Sequence, residues 1–215
     1  MWSVPESTSD RVDWPVSDPP PWPARVRATL WWHRSTSAAR ELGPDGRTIP
    51  MTVAMMVDYL DSPVGPYREI LASPVLHAPG KRIGLVPRMA VPFIAVDSEP
   101  SVHGGRFHWQ LPKVLAEFDG DVQQKFTATG DGWRVRSDTR MLGPRLPIAG
   151  ALGFAQPESG GGLAIASARL TGSFRYARVS VEAEGQTLPD WLAAGTHHGV
   201  VILGGKMTTG AARRR

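Results

Sequence analysis

The chain has 215 residues and an apolar fraction of 41%, which fits a globular protein of one domain or two small ones. Its net charge of +4 is nearly accounted for by the last three residues, all arginine, so we expect no nucleic-acid partner. The absence of cysteine excludes disulfides and thiolate chemistry, and the lack of a leader-like or membrane-length apolar run predicts a cytoplasmic protein with no membrane partner.

The first half of the chain begins with a segment unlike the rest. Residues 1–23 are rich in proline and serine and predict an N-terminal arm. Its three tryptophans suggest that the arm is draped over a neighbouring surface: Trp2, Trp14 and Trp22. A strand is predicted over 25–34 and a turn at 44–46, and the apolar run 52–60 predicts a buried strand.

Two further strand regions follow. The first is predicted around 67–75 and ends in a turn at 78–80. The second covers 82–97 and is interrupted by Pro87 and Pro92, which favour sheet edges or bulges because proline lacks a backbone donor.

One helix is well signalled. Asp97 and Ser98 offer an N-cap, and Pro100 suits the first turn. Pro112 must end the helix. Lys113 is therefore expected just after a helix, where the chain turns back toward the core.

The second half of the chain is dominated by alternating patterns. A hairpin is predicted over 123–141, two strands within 163–185 that break near Gly172, a short helix over 188–195 and a last strand over 198–207. The prediction is a single α+β domain over 24–210, mostly antiparallel β in a barrel or sandwich of nine or ten strands with two or three short helices. A basic tail at 211–215 follows, and it is expected to fray into solvent.

The lysines are the candidates for amine chemistry, because arginine stays protonated and cannot act as an amine nucleophile. Of the 24 lysines and arginines only four are lysine. Lys81, Lys125 and Lys206 stand in polar or turn contexts, whereas Lys113 is flanked by apolar residues on both sides. Lys113 is thus either a buried reactive amine or a lysine whose stem packs while its amine reaches water.

No metal or cofactor site is predicted. The sequence has no dinucleotide, phosphate-loop, zinc-protease or serine-elbow motif. His103 and His108 lie five positions apart, so we expect them on different helix faces, and the adjacent pair His197 and His198 would point opposite ways in a strand.

The stretch around Lys113 resembles the acetoacetate decarboxylase family. Asp97 to Pro100 resembles its acidic Glu-Pro segment, Gly105-Arg106 its helical Gly-Arg pair, and Leu111 to Leu115 its Pro-Lys signature. The resemblance implies a closed or cone-like β-barrel, and it identifies Lys113 with the Schiff-base lysine. A Tyr-x-Glu segment upstream identifies Glu69 with the active-site glutamate.

The same resemblance implies the residues that bind substrate. They include one arginine of the first strand, either Arg25 or Arg27, for a substrate carboxylate, together with Tyr67, Arg106 and Trp109. The family's second lysine is replaced by Val114. Without that cation, burial is expected to be the main source of activation, so Lys113→Met is expected to leave stability equal or higher.

Three functions remain open. The first is decarboxylation of a small β-keto acid through a lysine iminium, without a cofactor. The second is aldolase or dehydratase chemistry on a keto acid, and the third is non-catalytic binding of a small ligand in a β-barrel. The resemblance also implies a homo-oligomer.

Overall fold

The computed structural model describes residues 17–43, 47–81, 83–159 and 161–215. Most of the predicted arm, with Trp2 and Trp14, and the predicted turn at 44–46 lie outside the described residues. Within them the strands are β1 (Trp22–Arg34), β2 (Thr48–Ile49), β3 (Met51–Asp61), β4 (Tyr67–Ser73), β5 (Leu76–His77), β6 (Arg88–Met89), β7 (Phe93–Val96), β8 (Val114–Leu115), β9 (Glu117–Gly120), β10 (Lys125–Gly130), β11 (Trp133–Pro157), β12 (Leu163–Gly185), β13 (Gly195–Thr209) and β14 (Arg213–Arg214). The helices are α1 (Ser37–Glu41) and α2 (Glu99–Trp109).

All strands belong to one sheet. Its hydrogen-bonded path runs β2-β5-β6-β11-β12-β13-β1-β3-β4-β7-β8, with β10 beside β11, β9 beside β10 and β14 beside β12. Most neighbours are antiparallel, and β6–β11 and β7–β8 are parallel. The predicted mostly antiparallel α+β fold is confirmed. In the described part of the chain no ladder joins β2 to β8, so closure into a barrel stays a prediction.

The two faces of the sheet carry two separate cores. Along a strand successive side chains point to opposite faces. Met55 accordingly packs in the first cluster with Trp22, Val26 and Trp109, and the adjacent Met56 packs in the second. The first cluster lies on the face that α2 covers, and it surrounds the pocket described below.

The structure corrects three predictions in the second half of the chain. Residues 163–185 form one strand, because the register shift between Ser173 and Phe174 is absorbed within the ladder to β13. Residues 188–195 are not helical: burial of Trp191 in the second core decides the path of the chain there, which local propensity cannot do. In the tail, Arg213–Arg214 pairs with β12 rather than fraying.

Helix α1 was not predicted. The Thr36 hydroxyl accepts a hydrogen bond from the Ala39 amide at 3.0 Å and caps it. No helix in the described ranges is long and apolar enough to cross a membrane.

Candidate active site

Helix α2 forms as its sequence predicts. Ser98 is the N-cap, and its hydroxyl accepts from the Ser101 amide at 3.3 Å. The helix ends at Trp109, and Gln110 adopts a left-handed conformation with φ 57° before Pro112. This ending turns the chain back beneath the helix.

One face of α2 is built around Lys113. Ser101, Gly105 and Trp109 are spaced four apart and therefore share a face. Ser101 accepts a hydrogen bond from Lys113 Nζ at 3.0 Å, and Trp109 lines the pocket. Gly105 lies against the lysine stem: a Cβ atom there would come within 2.5 Å of Lys113 Cδ and 2.7 Å of Cε.

Arg106 holds the backbone of Lys113. Its Nε donates to the Lys113 carbonyl at 2.8 Å, and burial lowers the pKa of Arg106. Arg106 does not line the pocket. Its hydrogen bond lies on the backbone of the lysine, and its role in binding substrate stays a prediction.

Lys113 and Glu69 meet in the interior. Lys113 is 3% exposed and Glu69 2%, and Nζ donates to Glu69 Oε2 at 2.6 Å. Tyr59 donates from its hydroxyl to the other carboxylate oxygen at 3.2 Å. The carboxylate therefore bridges the amine and a phenol, which allows it to hold or return a proton.

Strand pairing brings together two residues that are 44 positions apart. Glu69 on β4 opposes Val96 on β7, and Val96 opposes Leu115 on β8. Neighbouring strands lie about 4.8 Å apart. Two such steps, roughly 9.6 Å, separate β4 from β8. The long side chains of Glu69 and of Lys113, two residues before Leu115, span that distance together.

Two tyrosines complete the network. Tyr59 and Tyr67 oppose each other on β3 and β4, and their rings stack at 4.2 Å. Lys113 Nζ lies 5.2 Å from the centroid of the Tyr67 ring. Burial, and then the charge of Glu69, raise the pKa of both tyrosines well above 10.0, so both remain hydrogen-bond donors near neutral pH.

The amine and carboxylate border a small apolar cavity of about 80 Å³. Its polar or charged lining residues are Tyr59, Ser62, Tyr67, Glu69, Lys113 and Thr209. The remaining lining side chains are apolar: Trp22, Ala24, Met55, Leu71, Met89, Val91, Ile94, Trp109, Leu111, Leu152, Phe154, Ala168 and Met207. Of these lining residues, all of them in the described ranges, Lys113 is the one that carries a positive charge.

Neither Arg25 nor Arg27 lines this cavity, which corrects the expectation for the first strand. In β1 the side chains of Ala24, Val26 and Ala28 are buried, so Arg25 and Arg27, which alternate with them, point to the opposite side. Arg25 Nε pairs with Asp61 at 2.5 Å, and Arg27 Nη2 pairs with Asp58 at 2.5 Å. Both guanidinium groups already have a carboxylate partner outside the pocket.

Val114 also points away from the cavity. It packs against the second core cluster, whereas Leu111 lines the pocket. A lysine at position 114 would start from the face opposite Lys113. We therefore infer that the missing second lysine leaves the immediate surroundings of the Lys113 amine unchanged.

Tyr59 and Ser101 are site residues that the sequence analysis missed. Ser101 could have been found from its spacing with Gly105 and Trp109 on the predicted helix. Tyr59 could not, because its place beside Glu69 depends on the β3–β4 register.

The expectation that His103 and His108 face different sides is wrong. His103 Nδ1 and His108 Nε2 each lie 3.2 Å from the hydroxyl of Ser17, which sits between them. Burial is the largest cause that lowers the pKa of His108. In the part of the chain that the structure describes, no three potential metal ligands cluster.

Gly105→Ala is expected to slow formation of any Lys113 adduct by about 10- to 100-fold, because the added methyl group must displace the lysine stem. The rate of borohydride-trapped adduct formation with acetoacetate measures this. Gly150→Ala is the control, since no heavy atom lies within 4 Å of a Cβ there. An unchanged rate in Gly105→Ala would mean that the stem adapts freely.

The comparisons with known proteins identify the fold. No family model matches the chain, and no curated protein matches its sequence. A structure of acetoacetate decarboxylase matches with a TM-score of 0.65 at 14% identity, covering 99% of this chain and 96% of that one. An acetoacetate decarboxylase-like enzyme from Sphingomonas wittichii gives 0.64 at 15% identity, over 92% and 93%.

A third solved structure is the enduracididine biosynthesis enzyme MppR, complexed with the condensation product of pyruvate and imidazole 4-carboxaldehyde. It matches with a TM-score of 0.59 at 17% identity, covering 92% of this chain and 90% of that one. The chain therefore has the acetoacetate decarboxylase fold, as the resemblance around Lys113 predicts. At these identities the likeness shows the fold alone.

Proposed function

We propose that the protein is a Schiff-base-forming carbon–carbon lyase that decarboxylates a small β-keto acid. The observation that carries this is the contact of 2.6 Å between the buried Lys113 amine and the Glu69 carboxylate at an apolar cavity. A lysine that merely packed its stem would send its amine to water. Here the amine stays inside, beside a group that can take its proton.

The reaction begins with a proton transfer. Lys113 passes a proton from its ammonium group to Glu69, and the neutral amine attacks the ketone carbon of the substrate. Glu69 returns the proton to the carbinolamine hydroxyl, and water leaves to give an iminium ion. Tyr59, which donates to Glu69, and Ser101, which accepts from the amine, hold these two groups in place.

Carbon–carbon cleavage follows. The bond between the α-carbon and the carboxylate breaks, its electrons move toward the iminium nitrogen, and the products are CO2 and a neutral enamine. Protonation of the enamine carbon and hydrolysis of the imine release a ketone and restore Lys113. An apolar cavity favours this step because the positive iminium and the negative carboxylate cancel as CO2 departs.

A second candidate is aldolase or dehydratase chemistry through the same iminium. One observation favours it: the structurally similar MppR is bound to a condensation product of pyruvate. Non-catalytic ligand binding is the third possibility, and it requires only the cavity. Detection of an iminium at Lys113 distinguishes the two catalytic candidates from non-catalytic binding, because binding alone forms no covalent bond.

We also propose that residues 24–210 form one domain whose sheet curls into a cone-like barrel around the cavity. The burial of Trp22 against Trp109, with ring centroids 4.8 Å apart, supports an arm that docks on this domain. A cytoplasmic homo-oligomer remains our proposal for the assembly. Size-exclusion chromatography with light scattering tests the subunit count.

Borohydride trapping tests the proposed function. Wild-type protein incubated with acetoacetate and borohydride is expected to gain one adduct, which peptide mass mapping places at Lys113. Lys113→Arg is expected to abolish the adduct and CO2 release, because guanidinium cannot supply a neutral amine. Lys125→Arg, an exposed lysine on β10, is the matched control and should retain both.

An adduct that persists in Lys113→Arg would overturn the assignment of the nucleophile. An adduct at Lys113 without CO2 release would favour the aldolase or dehydratase candidate. No adduct with any keto acid would leave non-catalytic binding.

A further inference from the structure

The cavity beside Lys113 is electrically balanced before any substrate enters. The positive charge of Lys113 is matched by Glu69 at 2.6 Å. Tyr59 and Tyr67 remain neutral donors. The other described lining side chains are apolar or carry a hydroxyl group, so the described lining bears no excess positive charge.

The arginines that the resemblance offers for substrate binding are already engaged elsewhere, and so is Arg68 beside Glu69, which donates to the Phe118 carbonyl at 3.0 Å. Arg25 and Arg27 pair with Asp61 and Asp58 on the outer side of β1, and Arg106 donates to the carbonyl of Lys113. Within the described lining of the cavity, no guanidinium group is therefore positioned to receive a substrate carboxylate.

A buried carboxylate without a cationic partner is unfavourable, because its lost hydration is not replaced. The penalty depends on how long the charge persists. In a β-keto acid the carboxylate leaves as CO2, whereas an α-keto acid such as pyruvate keeps it through every aldol or dehydration step. A ketone or aldehyde without a carboxylate avoids the penalty altogether.

We propose that this cavity is selective for small uncharged carbonyl compounds and excludes those that retain a carboxylate, α-keto acids above all. The selectivity rests on the proposed function, since it concerns the compounds that form an iminium with Lys113. A volume of about 80 Å³ leaves room for roughly five to eight water-sized groups. An uncharged ligand of that size is a short ketone or aldehyde.

This selectivity is compatible with decarboxylation. A β-keto acid binds weakly, yet its reaction removes the unfavourable charge, and the neutral ketone product is the species that the cavity holds best. It is not compatible with a condensation that starts from pyruvate.

A matched pair of carbonyl compounds tests the proposal. Pyruvate and 2-butanone are similar in size and differ in charge. The half-saturating concentration for the borohydride adduct at Lys113 is measured for each and divided by the value for N-acetyl-lysine methyl ester, which corrects for intrinsic reactivity. We expect 2-butanone to be favoured by at least about tenfold after this correction. Equal corrected values, or a preference for pyruvate, would overturn the selectivity.

A pair of variants introduces the missing cation. Leu152 and Leu142 both lie on β11 and are 37% and 38% exposed, and of the two Leu152 lines the cavity. Leu152→Arg is expected to raise pyruvate trapping several-fold relative to 2-butanone trapping, because its guanidinium group supplies a partner for the carboxylate. Leu142→Arg should change neither. An equal gain in both variants would attribute the effect to overall charge and count against the proposal.

A non-covalent readout separates this proposal from the proposed function. The rise in Tm with each compound reports binding whether or not an iminium forms. If no compound gives an adduct, the lyase function fails, and a larger Tm rise with 2-butanone than with pyruvate still supports the selectivity. A Tm rise with pyruvate that equals or exceeds that with 2-butanone overturns it.

Discussion

Lys113→Met is expected to lower the free energy of unfolding by about 3–5 kcal/mol, because it leaves the Glu69 carboxylate buried without its cation. From the sequence alone the opposite result is expected, since a buried amine without a partner costs free energy that methionine does not. The contact of 2.6 Å between Lys113 Nζ and Glu69 Oε2 reverses the expected sign of the change in stability. Chemical denaturation of both proteins at neutral pH measures the difference.

The double variant Lys113→Met with Glu69→Leu provides the internal control. Removing both charges is expected to recover most of the lost stability, because an apolar pair of similar volume can replace a buried ion pair. Lys125→Met is the surface control: its partner Asp138 lies at 3.5 Å and both side chains are exposed, so a change below about 1 kcal/mol is expected. A stable Lys113→Met protein, or a double variant as unstable as the single one, would contradict the ion pair.

Glu69→Gln is expected to reduce turnover by about 100- to 10,000-fold, the usual contribution of a positioned acid–base group. The amide oxygen can still accept from Lys113 and Tyr59, so the network keeps its shape, but an amide cannot take the lysine proton. Single-turnover CO2 release with acetoacetate measures the effect, and denaturation checks that the fold is retained.

Asp58→Asn is the matched control for Glu69→Gln. Asp58 is also a carboxylate on a central strand, but it pairs with Arg27 outside the cavity. Its replacement is expected to leave turnover within about twofold, as for residues away from the reacting atoms. Full activity in Glu69→Gln would remove the glutamate from the proton path and leave it a structural partner of the lysine.

Local signals carried much of the prediction. The Ser98 N-cap, Pro100 and Pro112 determine where α2 begins and ends, because capping and the missing proline donor act within a few residues. Alternation likewise predicted β1, an unbroken apolar run predicted β3, and the apolar neighbours of Lys113 set it apart from the other lysines. These features depend on sequence neighbours, which a single chain displays directly.

Tertiary structure decided the rest. Whether a lysine in apolar surroundings is an isolated amine or half of an ion pair depends on Glu69, which the β4–β7–β8 ladders bring from 44 residues away. The β3–β4 register places Tyr59 beside that carboxylate. The alternation of β1 is visible in the sequence, but which side faces the cavity is fixed only when α2 and Trp22 cover one face of the sheet. Arg25 and Arg27 consequently lie outside the pocket. The sequence could not show this, because a shift of one residue exchanges the two faces of a strand and no local interaction reveals which face the core will take.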